Sequence, residues 1–205
     1  MTWFIPSRER PHRLRQLINA CHATKMSTSA VVLIDDDDPC LSGYMNLSLI
    51  PYWNIEVSSG GGLSEIYNGA FARHPHEEWY GILCDDVIPE TEYFDVKLIE
   101  AAGKDGIAVP TGGHHPDIAP HFVIGGDLVR EIGWVSLPGL DRIYIDTVWN
   151  DIAKNRGVFR QTDVVLKHMH FSNGGALMDK TYRKHNKEND RKLYNQWHDK
   201  YEISK

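Results

Sequence analysis

Ala30-Val-Val-Leu-Ile-Asp-Asp-Asp-Asp-Pro39 is a run of five apolar residues that stops abruptly on four carboxylates and a proline. An uninterrupted apolar run containing Val31, Val32 and Ile34 suits a strand buried on both faces, the usual position inside a parallel sheet. The aspartates then mark its carboxyl end. Before it lie Trp3-Phe4-Ile5, a short β-type run stopped by Pro6 and Ser7, and Arg10 to Ala23, with Leu14, Leu17, Ile18 and Cys21 at helical spacing. After it come a strand over Trp53 to Val57, a break at Ser58-Ser-Gly-Gly-Gly62, and a helix over Leu63 to Arg73. The helix carries Leu63, Ile66, Tyr67, Ala70 and Phe71 on one face, and a strand over Trp79 to Cys84 follows, ending in Asp85-Asp86.

This alternation predicts an α/β fold, an open, mostly parallel twisted sheet flanked by helices. Ligands of such sheets bind outside the carboxyl ends of the strands. Here those ends carry Ser7-Arg8, Asp35 to Asp38, Ser58 to Gly62 and Asp85-Asp86, so polar and acidic groups converge on one edge. In the second half, Gly106 to Val109 and Phe122 to Ile124 read as short strands around a Gly/His/Pro loop, Thr111 to His121. Gly126 to Ile132 reads as a short helix. Asp146 to Arg156 reads as a longer one, with Asp146 as N-cap and Gly157 as its stop. Asp163 to Lys167 is the last strand, delivering His168 and His170.

The 205 residues suit one domain, with 1–175 as its body and 176–205 as a polar, helical C-terminal extension. No stretch reaches the roughly 18 consecutive apolar residues of a membrane span. The first residues hold three apolar residues in a row before Pro6, which argues against a signal peptide. Cys21, Cys40 and Cys84 are an odd count without metal-knuckle spacing, which points to a reducing, cytoplasmic setting. The net charge of -6 is uneven: Lys180 to Lys205 holds eight Lys/Arg against four Asp/Glu, and the remainder holds 14 against 24. An acidic body suits a bound cation. A basic tail suits either solvent or a polyanion.

Two adjacent carboxylates closing an apolar strand are unfavourable unless a cation compensates, so Asp85-Asp86 reads either as a Mn²⁺ or Mg²⁺ diphosphate site or as turn aspartates. His168 and His170, at positions i and i+2, point the same way from a strand, as a nitrogen ligand or as ordinary core and surface histidines. The Asp35 to Asp38 run reads as a nucleoside-binding edge, a Ca²⁺ site or a solvated turn. The Ser58 to Gly62 loop, Gly61 included, can present backbone N–H groups to phosphate at the start of a helix. It matches neither the G-x-G-x-x-G nor the P-loop pattern, and no G-x-S-x-G or H-E-x-x-H occurs.

Four stretches in this order, Ile5 to Pro11, Val31 to Pro39, Gly81 to Pro89, and Tyr144 to Trp149 before Asp163 to His170, resemble the GT-A glycosyltransferases. The likeness is to their inverting family-2-like branch and its short phage and bacterial versions, and it spans roughly residues 3 to 171. It implies a sugar transfer from a nucleotide-diphosphate sugar, UDP-linked by preference, to an acceptor hydroxyl with Mn²⁺ or Mg²⁺. Asp85-Asp86 is similar to a reduced Asp-x-Asp motif, with Val87 where the second carboxylate normally stands; Asp86 is the implied ligand and Asp85 a donor contact. Pro6, Ser7, Arg8, Asp36 or Asp37, and Gly61 fall on the implied donor side. His170 or His168 corresponds to the late metal-binding histidine. Asp146, with Asp141 as rival, corresponds to the base. The acceptor stays open between a glycan and a hydroxylated base in phage DNA. A non-catalytic nucleotide-sugar or carbohydrate-binding module and a sugar-phosphate nucleotidyltransferase are the competing readings.

Overall fold

The computed structural model describes residues 1–111, 120–169 and 187–203. The first half runs β1 (Thr2–Pro6), α1 (Pro11–Ala23), β2 (Ser29–Asp35), α2 (Leu41–Met45), β3 (Trp53–Ser58), α3 (Leu63–Arg73) and β4 (Trp79–Ile82). The second half runs β5 (Val87–Pro89), α4 (Phe94–Ala102), β6 (Ile107–Thr111), β7 (Phe122–Gly125), α5 (Gly126–Ile132), α6 (Ile145–Asn155), β8 (Phe159–His168) and α7 (Lys187–Ile203). The eight strands form one sheet in the order β3-β2-β1-β4-β7-β6-β8-β5. β1 to β4 run parallel, β7 runs against them, β6 and β8 return to the first direction, and β5 runs against β8. The fold is the mixed but mostly parallel α/β sheet that the sequence predicts.

Burial on both faces explains the apolar runs. Along β1, Trp3 and Ile5 face a core built with Leu14, Leu17 and Cys21 of α1 and with Phe94 and Leu98 of α4. Phe4 faces the opposite core, shared with Tyr67 and Ala70 of α3 and with Val148, Trp149 and Ile152 of α6. β2 divides in the same way, with Val32 and Ile34 on the first face and Val31 and Leu33 on the second. This is the period-two alternation of a strand, invisible in the sequence because both sides are apolar.

Several boundaries differ from the sequence expectation for identifiable reasons. α2 and β5 are five and three residues long, too short to show a period, and α4 starts after Tyr93, which has no capping side chain. β4 stops at Ile82, although the Leu83 N–H still donates to the Phe4 carbonyl at 3.2 Å. β8 begins earlier than expected, at Phe159, because it pairs in parallel with β6 from Ile107 onward, although polar Arg160 and Gln161 hide its start in the sequence. Asp146 is not the N-cap of α6: Tyr144 takes that place with φ 71°, and the Asp146 Oδ1 instead accepts the neighbouring Thr147 N–H at 2.8 Å. The expected domain boundary at residue 175 and most of the Thr111 to His121 loop lie outside the described residues. So does His170. Among the described residues no helix is long and apolar enough to cross a membrane, and the three cysteines are free.

Gly81, in the middle of β4, lies against the Trp3 ring, where an added Cβ would collide with ring carbons. Trp3 cannot retreat, because it is fully buried and its Nε1–H donates to the Thr28 hydroxyl at 3.0 Å. Gly81→Ala is expected to lower the unfolding free energy by about 1–3 kcal/mol, the usual cost of overpacking a core. Urea denaturation measures it, and an unchanged midpoint would show that the sheet adjusts freely.

Candidate functional site

The carboxyl ends of β1, β2 and β4 and the start of α6 surround one cleft of about 1150 Å³. At its floor Asp85 and Asp86 are only 4% and 5% exposed. Burial pushes the Asp85 carboxyl up, Arg10 opposes that, and the adjacent Asp86 adds to it. Arg10 compensates both: its Nη1 lies 3.4 Å from Asp85 Oδ1 and 3.5 Å from Asp86 Oδ2. A directional chain of hydrogen bonds fixes the arrangement. The Arg10 backbone N–H donates to the Tyr44 oxygen at 2.8 Å, and the Ser7 hydroxyl donates to Asp85 Oδ2 at 2.6 Å. The Ser7 proton being committed, Tyr44 donates to Ser7 across the remaining 2.9 Å. Such a chain strengthens each of its members in a low-dielectric site.

Asp86 Oδ1 lies 3.2 Å from His168 Nε2, across the pairing of Val87 in β5 with His168 at the end of β8. The ring of His121 meets His168 edge-on at 4.8 Å. His121 is 1% exposed, and neither ring nitrogen has a hydrogen-bond partner among the described residues. Burial and the neighbouring His168 push its pKa down to about 3, so it is neutral at pH 7. Asp86 and His168 offer one carboxylate oxygen and one imidazole nitrogen, a donor pair that Mn²⁺ or Mg²⁺ accepts. Among the described residues, no group of three or more His, Cys, Asp or Glu side chains could hold a metal. A cation here would therefore take its remaining ligands from diphosphate and water, and the residues present fit that arrangement.

The donor-side candidates occupy one wall. Arg8 Nη1 donates to Asp35 Oδ2 and to Asp37 Oδ1, both at 2.6 Å, and these carboxylates hold the guanidinium pKa above its ordinary value. Asp36 is exposed, whereas Asp35 and Asp38 are buried. Asp38 is a structural turn residue: its carboxylate accepts the Glu9 N–H at 2.8 Å and the Cys40 N–H at 2.7 Å. Asp35 Oδ1 has no hydrogen-bond partner among the described residues, which makes Asp35 a stronger candidate for a ligand than Asp36. Gly61 lines the cleft, but the first N–H of α3, at Leu63, is taken by the Asp141 carbonyl at 2.6 Å.

Asp141, Arg142, Tyr144 and Asp146 form the opposite wall. Burial raises the Asp146 carboxyl above its usual value, against the opposing hydrogen bonds from the Thr147 N–H and hydroxyl. Glu9 and Tyr144, one on each wall, both hold left-handed backbone, with φ 59° and 71°. The structure thus brings Pro6, Ser7, Arg8, Asp36, Asp37, Gly61, Asp85, Asp86, Asp141, Asp146 and His168 to a single cleft. Sequence reasoning missed Arg10, Tyr44 and Arg142. A buried arginine leaves no mark in a helix-start segment that already contains Arg8, Arg13 and Arg15.

No protein-family profile matches the sequence, and no curated protein matches it. Solved structures do match in fold. TarS 1-349 of S. aureus superposes with a TM-score of 0.59 at 14% identity, covering 88% of this chain and 67% of that one. The mannosyltransferase PcManGT of Pyrobaculum calidifontis, in complex with GDP-Man and Mn²⁺, gives 0.58 at 10% identity, covering 80% of this chain and 54% of that one. Rv0371C of Mycobacterium tuberculosis, in complex with manganese, gives 0.54 at 15% identity over 80% and 87%. The chain spans about half the length of the mannosyltransferase and about two thirds of TarS 1-349. These likenesses place it in the GT-A-like glycosyltransferase fold.

Removing Arg10 leaves two buried carboxylates without their shared guanidinium, so Arg10→Ala is expected to cost about 3–5 kcal/mol of stability, as truncating one partner of a buried ion pair does. Millimolar Mn²⁺ is expected to restore part of that loss at pH 7, read as a rise in melting temperature larger than in the wild-type chain. Equal Mn²⁺ responses in the two proteins would show that the cation does not bind at Asp85-Asp86.

Proposed function

We propose that this chain, built on a GT-A-like fold, transfers a sugar from a nucleotide-diphosphate sugar, UDP-linked by preference, to an acceptor hydroxyl. The observation that supports it is one cleft that gathers Arg8 with its two aspartates on one wall, a buried carboxylate pair with an imidazole at its floor, and the Asp141 and Asp146 carboxylates on the other wall. The mannosyltransferase of similar fold, in complex with GDP-Man and Mn²⁺, is consistent with a nucleotide-sugar donor and a divalent cation.

On this reading the nucleoside lies along Arg8, Asp35 and Asp37. Asp35 Oδ1 accepts a base N–H or a ribose hydroxyl, the task acidic residues perform after such strands. Asp86 and His168 would hold Mn²⁺ or Mg²⁺, which would offset negative charge on the diphosphate. Arg10 and Arg142 add positive charge beside the leaving group. Asp146 takes the proton of the acceptor hydroxyl as its oxygen attacks the anomeric carbon and the bond from that carbon to the diphosphate oxygen breaks. A single base opposite the leaving group gives inversion. Asp141 is the competing base.

Among acceptors a glycan is favoured over DNA. The chain as a whole is acidic, with a net charge of -6, unlike a typical duplex binder, and α7 itself balances four Lys/Arg (Lys187, Arg191, Lys192, Lys200) with four Asp/Glu (Glu188, Asp190, Asp199, Glu202); the surplus cations of the tail, Lys180, Arg183, Lys184 and Lys205, lie outside the described residues.

A thermal-shift screen with UDP-, GDP-, dTDP- and CDP-sugars, each with and without Mn²⁺, tests the donor site. A ligand at about 100 times its Kd stabilises the native state by about 2.7 kcal/mol, a shift of several degrees. One nucleotide class is expected to respond, more strongly with Mn²⁺, and the Mn²⁺ increment is expected to vanish in Asp86→Ala. A flat response to every donor would overturn the transferase reading in favour of a GT-A-like shell with another ligand.

Asp146→Asn is expected to lower turnover at least about 10²-fold, the lower range for a lost general base, while preserving the donor shift. Because burial raises the Asp146 carboxyl, the base form is lost as pH falls through a value above the ordinary ~3.9. The acid limb of the rate profile is therefore displaced upward. Near-wild-type turnover in both Asp146→Asn and Asp141→Asn would remove the carboxylate base from the mechanism.

A further inference from the structure

The wall that carries Asp141, Arg142 and Asp146 is a loop entering α6, and a loop holds catalytic geometry only if something fixes its backbone. That fixture comes from the far end of the sequence. Asp190, in the first turns of α7, is fully buried. Its Oδ1 accepts the Asp141 N–H at 2.8 Å, and its Oδ2 accepts the Arg142 and Ile143 N–H groups, both at 2.9 Å. One carboxylate thus satisfies three successive amides of the loop, charge-assisted bonds of the stronger kind. The rest of α7 reinforces the same segment. The Tyr194 ring stacks on the Tyr144 ring at 4.7 Å with 8° between the planes, and its hydroxyl donates to Asp151 Oδ2 of α6 at 2.7 Å. The loop is held from the other side too, where the Asp141 carbonyl accepts the Leu63 N–H.

We infer that Asp190 is a positioning residue for the acceptor side of the cleft, and that α7 is a working part of the site. It acts through the backbone of residues 141–143, which it aims, and it touches neither donor nor acceptor. Tyr144, the residue next after these three amides, is in left-handed backbone, and α6 departs from it with Asp146 at its second residue. The functional part of this inference rests on the transferase reading above. The structural part does not.

The test uses the full chain with Asp190→Ala, Asp190→Asn, Asp190→Glu and, as a control, Glu188→Ala, an exposed α7 residue. Hydrogen exchange followed by mass spectrometry reads the loop directly. Asp190→Ala is expected to speed exchange at least tenfold in peptides covering 139–146 and to leave the β1, β2 and β4 peptides protected. Unchanged loop exchange, or protection lost evenly across the sheet, would overturn the inference.

The second reading is donor affinity against turnover, with nucleoside diphosphate release as the assay. Asp190→Ala is expected to lower kcat about tenfold while the donor Kd stays within twofold. Asp190→Asn, which keeps one accepting oxygen, is expected to recover part of the loss, and Glu188→Ala to match wild type. Parallel losses in kcat and donor affinity, or no advantage of Asn over Ala, would reduce Asp190 to a general stabiliser. Absence of turnover in the wild-type chain with every donor sinks the transferase reading, and the exchange result still decides whether Asp190 sets the loop.

Discussion

Two carboxylates on consecutive residues, withdrawn from water at the end of β4, are the constraint around which this molecule is organised. Left alone, Asp85 and Asp86 would repel each other across a low dielectric, and their charged forms would cost several kcal/mol each in lost hydration. The fold answers from four directions. Arg10 comes from the turn before α1, Ser7 from the end of β1, Tyr44 from α2 and His168 from the end of β8. Strands that are neighbours in the sheet and helices on its faces are thereby tied to one point. The short strand β5 follows from the same need, because its pairing to β8 is what brings His168 over Asp86.

Around that point the cleft has two walls of different origin. One wall is made of strand ends and their first loop residues, placed by the parallel sheet itself. Arg8 bridging Asp35 and Asp37 is a consequence of β1 and β2 lying side by side in register. The opposite wall is not a strand end. It is a loop leading into α6, held by Asp190 from α7 and by the Leu63 amide from α3, with Tyr144 in an uncommon backbone conformation at its apex. A rigid sheet edge facing a separately braced loop suits a reaction in which one substrate is fixed and the other must approach it in line.

The comparisons and the geometry carry different parts of the conclusion. Matches at 10–15% identity establish the GT-A-like fold and nothing finer. A fold of this kind hosts more than one chemistry, so the function has to be argued from the site. Here the site has an arginine bridging two strand-end aspartates, a buried carboxylate pair beside His168, and a carboxylate, Asp146, whose pKa burial raises. The absence of a second aspartate at Val87 shifts weight to Arg10, which supplies inside the chain a positive charge that a cation would otherwise have to supply alone.

How much of this could be read from residues alone divides along a physical line. Contiguous signals were legible. The apolar run ending in Asp35 to Asp38, the helical spacing of α1 and α3, and the acidic end of β4 each express a local regularity, and together they gave the α/β class and the edge at which the cleft lies. Short elements were not legible, since three residues of β5 and five of α2 carry no period. The role of Asp146 as an N-cap was misread because a left-handed tyrosine can begin a helix without a capping side chain. Most of all, sequence could not show which polar residues would meet. Arg10 with Asp85, Tyr44 with Ser7, His121 with His168, and Asp190 with the amides of 141–143 are separated along the chain by 37 to 75 residues. Their pairing depends on strand order and on where a terminal helix docks, and those are decided by burial of both faces of the sheet at once.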